Sequence, residues 1–226
     1  MLISIVAALA LTPLAAWRIN EGLGERAVPM PKPAQTAPRS PDFAPSRVPS
    51  EEALKAAILS ATDFPGWRGT ENPFSVDSLQ LCGHAAKVKS ATNTAGRLFI
   101  EGSQIYGGIS VQSGATGFVT DRDAINFMSE VQSRANSCVS WPKKDVTLQV
   151  ERVERARFGE ESIRVSTTTQ SGGIPAEIQF VYIRRESTIA LLYYRAGGGY
   201  LAKPELDESS VDHFADILDS RIRTIN

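Results

Sequence analysis

Few side chains in this sequence could do chemistry. The histidines are His84 and His213 and the cysteines Cys82 and Cys138, two of each. A transition-metal site needs three or four such ligands close together, so a structural zinc is close to excluded and no cofactor is expected. Neither histidine lies in a local hydrolase or metalloprotease signature: Gly-x-Ser-x-Gly, His-Glu-x-x-His and Ser-x-x-Lys with its partner motifs are all missing. His84, beside Gly83, reads as a loop residue, and His213, beside Phe214, as an exposed position on a helix. Glu160 and Glu161 carry the carboxylates a glycosidase needs, but neighbours in a strand point to opposite faces, so a turn with solvated charges is the better reading. Gly197-Gly198-Gly199 lacks the Lys-Ser/Thr of a phosphate loop and reads as a flexible connection. The aromatic candidates for a binding cleft are Tyr193, Tyr194, Trp67 and Trp141, most of them expected in the core. No catalytic residue is expected, and the residues of a ligand site are not identified by pattern.

The cysteines are the more informative pair. Cys82 follows a turn-rich region and Cys138 falls on the apolar side of a helix end, so each thiol could meet the other within one domain. In an exported chain an even cysteine count reads as a disulfide, and closing this loop stabilises the fold by about 4 kcal/mol. Redox catalysis has little support, since there is no Cys-x-x-Cys, and Lys143 and Lys144 are the nearest cations, several residues away.

The elements that would position these groups start at Ser50, a good helix N-cap followed by Glu51 and Glu52. A short helix is expected over 51–60, then a turn-rich stretch punctuated by Pro65-Gly66 and Asn72-Pro73. Short strands follow near 97–101 and 108–113. A helix is expected over 122–138, with Ala124, Met128, Val131, Ala135 and Cys138 at helical spacing. Beyond Trp141-Pro142 come strand-like runs at 146–153, 161–169, 176–184 and 188–195, then a helix over 208–224 that buries Val211, Phe214, Leu218, Ile222 and Ile225. Sequential strands with tight connections pair antiparallel. The fold class expected is α+β: an antiparallel sheet of about five to six strands packed against two long helices.

Residues 1–20 hold the uncharged run Leu2–Trp17, short for a bilayer span and interrupted by Pro13. We read it as an apolar helix serving as signal peptide or membrane anchor, with cleavage and retention both open. No basic residue precedes it, whereas Arg18 and Arg26 follow; we attribute this to a start codon placed downstream of the true one. Residues 21–49 contain prolines 29, 31, 33, 38, 41, 45 and 49 and read as a disordered Pro-rich linker. The domain occupies 50–226. A formal net charge of −1 gives no reason to expect a nucleic-acid partner.

The run Asp63-Phe64-Pro65-Gly66-Trp67, then Leu81-Cys82-Gly83, the helix ending at Cys138, the strand Thr188–Arg195 and the helix bearing Phe214-Ala215 and Leu218 together resemble an actinobacterial family. Its namesake is the extracellular sensor domain of the Ser/Thr protein kinase PknH, and it also occurs on membrane-anchored proteins and lipoproteins that have no kinase. The resemblance implies an antiparallel sheet flanked by helices, related to the folds of PsbP and Mog1, with a cleft proposed to hold a ligand. The kinase-linked member resembles a two-disulfide domain, whereas this chain has one cysteine pair and no kinase region.

The function expected is therefore that of a non-enzymatic sensor or binding module, extracytoplasmic and either membrane-anchored or secreted. Its partner would be a small-molecule or lipid ligand or another envelope protein. The alternatives are a hydrolase with a dispersed site and a structural component of an envelope complex.

Overall fold

The computed structural model describes residues 48–71, 80–82, 84–85, 91–103, 107–143, 146–171, 174–198 and 207–225. The expected apolar helix over 1–20, and the Pro-rich linker up to residue 47, lie outside them.

Ser50 caps the first helix as expected: its Oγ accepts from the Ala53 amide at 3.2 Å, and α1 runs over Glu51–Ala57. A 3₁₀ turn, Ala61–Asp63, leads into β1, Arg68–Glu71. A short ribbon follows, β2 (Gln80–Leu81) against β3 (His84–Ala85). The long hairpin β4 (Ala91–Ser103) and β5 (Gly107–Phe118) precedes α2, Asp121–Ser137, whose N-cap is Thr120. Then come β6 (Ser140–Lys143), β7 (Val146–Arg155), β8 (Glu161–Ser171), β9 (Ile174–Arg185), β10 (Thr188–Gly197) and α3 (Glu208–Ile222).

Eight strands, not five or six, form one sheet in the order β1-β4-β5-β10-β9-β8-β7-β6, and every neighbouring pair is antiparallel. The additional strands are the two edges. β1 is four residues long with every residue exposed, and β6 contains Pro142. An edge strand has no need of a buried face and tolerates proline, so neither carries the alternation that marks an interior strand.

Most of the sheet is buried on both faces. In β9, Ile178, Phe180 and Tyr182 pack in the core beneath α2, together with Phe127, Met128 and Val131 of that helix. The alternate residues Val181 and Ile183 pack in the core beneath α3, with Val211, Ala215, Leu218 and Ile222. β10 divides likewise, Ile189 and Leu191 to one side, Ala190, Leu192, Tyr194 and Ala196 to the other. The two long helices thus lie on opposite faces, with α1 beside α3, its Leu54 and Ile58 packed on Ala95 and Ala115. Two-sided burial explains why 176–184 and 188–195 read as near-continuous apolar runs. The last strand pairs with β5, so α2 has to carry the chain from β5 across the sheet to the far edge at β6.

Gly69 is required by a close approach: a Cβ there would lie 2.8 Å from the Phe99 ring of the neighbouring strand. Gly159 has φ +61°, the left-handed region that glycine enters without a Cβ penalty.

Candidate functional site

One line of register partners crosses the sheet on the α3 side: Arg152, Ser166, Gln179, Tyr194, Val111, Phe99 and Gly69, on β7, β8, β9, β10, β5, β4 and β1. Strand alternation fixes their facing. Ile163 and Val165 point into the α2-side core, so Arg164 and Ser166 point the other way; Ile178 and Phe180 do the same for Gln179. The line is polar at the β7–β9 end and aromatic at the other.

At the aromatic end Phe64 stacks on Phe99 with centroids 4.3 Å apart, and Phe214 of α3 and the half-buried Trp67 join it at 4.6 and 5.0 Å. Thus the Asp-Phe-Pro-Gly-Trp run is a device for seating an aromatic cluster between the 3₁₀ turn and α3. Tyr194 stands at the middle of the line, buried. Burial raises its pKa, and Asp207 and Glu101 push the same way, so it keeps its phenolic proton.

The polar end lies beneath the first turns of α3. Arg152 Nη2 donates to Glu208 Oε1 at 2.8 Å, and Arg164 pairs with Asp212 and, at 3.7 Å, with Glu154. Arg164 is 7% exposed and Gln179 3%. Six buried side-chain polar atoms have no hydrogen-bond partner among the described residues, and three of them belong to this cluster: Arg164 Nε, Ser166 Oγ and Gln179 Oε1. An unmet buried polar group costs about 1–3 kcal/mol, so three on one face of two adjoining strands call for an explanation. We term this cluster the niche.

The sequence candidates fall elsewhere. His84 lies in β3 and His213 is exposed on α3 beside Phe214. Glu160 and Glu161, read as a turn with solvated charges, both reach Arg184, at 2.7 and 3.3 Å. Glu160 precedes β8 and follows Gly159, so it escapes strand alternation. Tyr193 and Tyr194 face opposite sides; Tyr193 packs edge-on against Phe180 at 5.3 Å, and Trp141 is buried in the α2-side core. Trp67 and Tyr194 share the α3 face. Gly197 ends β10, and Gly198 donates to the Pro175 carbonyl at 2.9 Å. Among the described residues no group of three or more His, Cys, Asp or Glu is placed to hold a metal ion. The members of the niche carried no signal: Ser166 opens a Ser-Thr-Thr-Thr run, and Gln179 stands between Ile178 and Phe180, patterns that read as solvent-facing.

The Cys82–Cys138 disulfide is formed, with Cα atoms 5.9 Å apart. Cys82 opens the two-residue connection between β2 and β3 with φ +60°, the sign that tight hairpin turns demand there. Cys138 is the C-cap of α2, so the bond ties the ribbon to the helix end, against the α2-side core.

Two ion pairs hold α3 from the other side. Arg221 donates to both oxygens of Asp63 at 2.8 and 2.7 Å, and Arg185 to both oxygens of Asp219 at 2.5 and 2.8 Å. Burial works to raise the pKa of both carboxyls. The hydrogen bonds and charge of Arg221, with the Ser60 amide, outweigh it at Asp63; Arg185, the Gly159 backbone and Arg223 do so at Asp219. Both end below the usual aspartate range, the direction of a structural ion pair rather than of a proton donor. A depressed native pKa stabilises the fold above the unfolded-state value, and that gain is lost as pH falls through the native value. Acid titration followed by near-UV circular dichroism is thus expected to show stability falling below about pH 4. Asp63→Asn should flatten that fall, and an unchanged profile in this variant would refute the assignment.

No protein-family model matches the chain, and no curated protein matches it. Among solved structures it is similar to the extracellular domain of PknH from Mycobacterium tuberculosis, at 16% identity and a TM-score of 0.57, covering 78% of this chain and 98% of that one. A second likeness is to an uncharacterized protein of Mycobacterium smegmatis, an Rv0999 ortholog, at 12% identity, 82% and 98% coverage and a TM-score of 0.42, too low to argue from. The first shows a shared fold: a PknH-like α+β sandwich.

Proposed function

We propose that the domain is a non-enzymatic binding module that works outside the cytoplasm and takes a small or lipidic ligand or an envelope partner. One observation carries this reading: the chain shares its fold with an extracellular domain and staples that fold with the Cys82–Cys138 disulfide. The disulfide supports an oxidising compartment, where such bonds persist. The apolar and Pro-rich N-terminal sequence and the fold shared with an extracellular domain support the same placement, whether the chain is anchored or secreted.

The test is a thermal-shift screen of the full chain against envelope lipid extracts and cell-wall fragments. A ligand at about a hundred times its Kd stabilises by about 2.7 kcal/mol, which raises Tm by about 5–10 °C for a domain of this size. If no fraction raises Tm, the ligand-binding reading loses its support.

A further inference from the structure

Resting on that reading, we infer that the α2-side face of the sheet carries a site for a small amphipathic carboxylate, anchored on Arg195. The site is a block of residues on three adjoining strands. Register sets them in two rows across β4, β5 and β10: Ile100, Ser110 and Arg195 in one, Leu98, Gln112 and Tyr193 in the other. Tyr193 packs on Phe180 of the α2-side core, and residues two apart share a face, so both rows lie on that side. Further along the same rows Ile178, Thr167, Phe180 and Val165 are buried. The block itself is open: Ile100 is exposed and its five companions are half-buried. Among the described residues, Leu98 and Ile100 join none of the hydrophobic cores.

Among those residues, every other arginine that is buried or half-buried has an acceptor. Arg97 donates to the Leu59 carbonyl, and Arg134, Arg164, Arg184, Arg185 and Arg221 each hold a carboxylate. Arg195, half-buried, has no such partner among them. Its guanidinium lies along its own strand over Gly197, with both terminal nitrogens 3.4 Å from where a Cβ would stand. Its charge reaches the Tyr193 phenol, whose pKa burial raises and Arg195 lowers. No acidic residue stands in either row, and Arg68 extends the first of them on β1. A guanidinium offers five donors and no acceptor, so an anion is its complement.

The rest of the block fixes what the anion must carry. A planar fork matches the two oxygens of a carboxylate, and one fork balances one negative charge. Arg68 starts three strands away, about 14 Å at the usual strand spacing, and donates to the Gly102 carbonyl, so no second fork is at hand for a phosphate dianion. Ser110 and Gln112, between the cation and β4, can each donate to or accept from a hydroxyl or amide close to the carboxylate. Leu98 and Ile100 then cover an aliphatic portion. Three strands by two rows span about 10 by 7 Å, the footprint of a short acyl chain or a small hydroxy or amido acid.

The experiment titrates the full chain with hexanoate, and separately with acetate, 1-hexanol and hexylamine. Binding is read from the NMR shifts of the Arg195 Nε–H and of the Ser110 and Gln112 backbone amides. Hexanoate should move all three and bind at least about tenfold more tightly than acetate, since each buried methylene is worth about fourfold. It should exceed hexanol and hexylamine by a similar margin, and Arg195→Met should remove that advantage while leaving the weak hexanol binding unchanged. Ile100→Thr, at an exposed position, should weaken hexanoate and hexanol alike and leave acetate as it was; it keeps the test open should the first variant fail to fold. If acetate binds as well as hexanoate, the apolar half of the site is overturned. If hexanol or hexylamine matches hexanoate, the role of Arg195 is overturned. If no probe moves these resonances, the site itself is overturned. The binding-module reading is decided separately: an envelope fraction that raises Tm equally in the wild type and in Arg195→Met shows a module that binds elsewhere.

Discussion

Replacing Cys82 and Cys138 together by alanine is expected to lower the stability of the domain by about 4 kcal/mol, because the bond closes a loop across 56 residues of sequence. For a domain of this size that amounts to a fall in Tm of about 8–16 °C. Reducing the wild-type protein should produce a similar fall, measured by calorimetry with and without reductant. The tie matters because β2 and β3 are two residues each, too short to persist as an isolated hairpin. Without the bond, the ribbon should lose amide protection first, with the C-terminal turn of α2 next. If Tm moves by less than about 2 °C, the chain-entropy account of this bond fails.

The second large effect is expected at Asp219. Its carboxylate is held by Arg185 of β9 in a two-pronged pair, with side-chain exposures of 12% and 18%. Asp219→Ala removes the counter-charge of a largely buried guanidinium and should cost about 3–5 kcal/mol, the usual penalty for breaking a buried pair from one side. Arg185→Met combined with Asp219→Leu replaces both charges by apolar groups and should recover most of that loss. Urea denaturation of the three proteins decides the matter. If the double variant is no more stable than Asp219→Ala alone, the buried charge is not the cause.

The parts of this fold legible in the sequence are those whose burial repeats along the chain. The stripe Ala124, Met128, Val131 and Ala135 placed α2 to within a residue, and Val211, Leu218 and Ile222 placed α3 to within two. β9 and β10 announced themselves as apolar runs. β5 was read only over 108–113, although it extends to Phe118, because Gly114, Ala115, Thr116 and Gly117 show no alternation. Small residues are needed there: Pro49 comes within about a van der Waals contact of Gly117, at 3.1 Å from where a Cβ would be. The niche was illegible for a different reason. Ser166 and Gln179 become neighbours only through the register of β8 with β9, and α3, whose Asp212 pairs with Arg164 on the same face, follows far downstream in the sequence. No local window contains that information. The disulfide was readable because an even cysteine count in an exported chain is a global property, requiring no register.

The two ends of the described domain lie close together. Val48 and Pro49 pass over Gly117, the Asn93 side chain donates to the Pro49 carbonyl at 2.8 Å, and Ile225 packs against Leu54 and Ile58 beside them. β10 ends and α3 begins at the opposite rim. A reporter or affinity module grafted after the last helix would therefore emerge beside the incoming chain, leaving the far rim unobstructed. For the same reason the domain suits splicing into a host loop, or reconnection of its ends by a brief Gly-Ser bridge with new termini opened elsewhere.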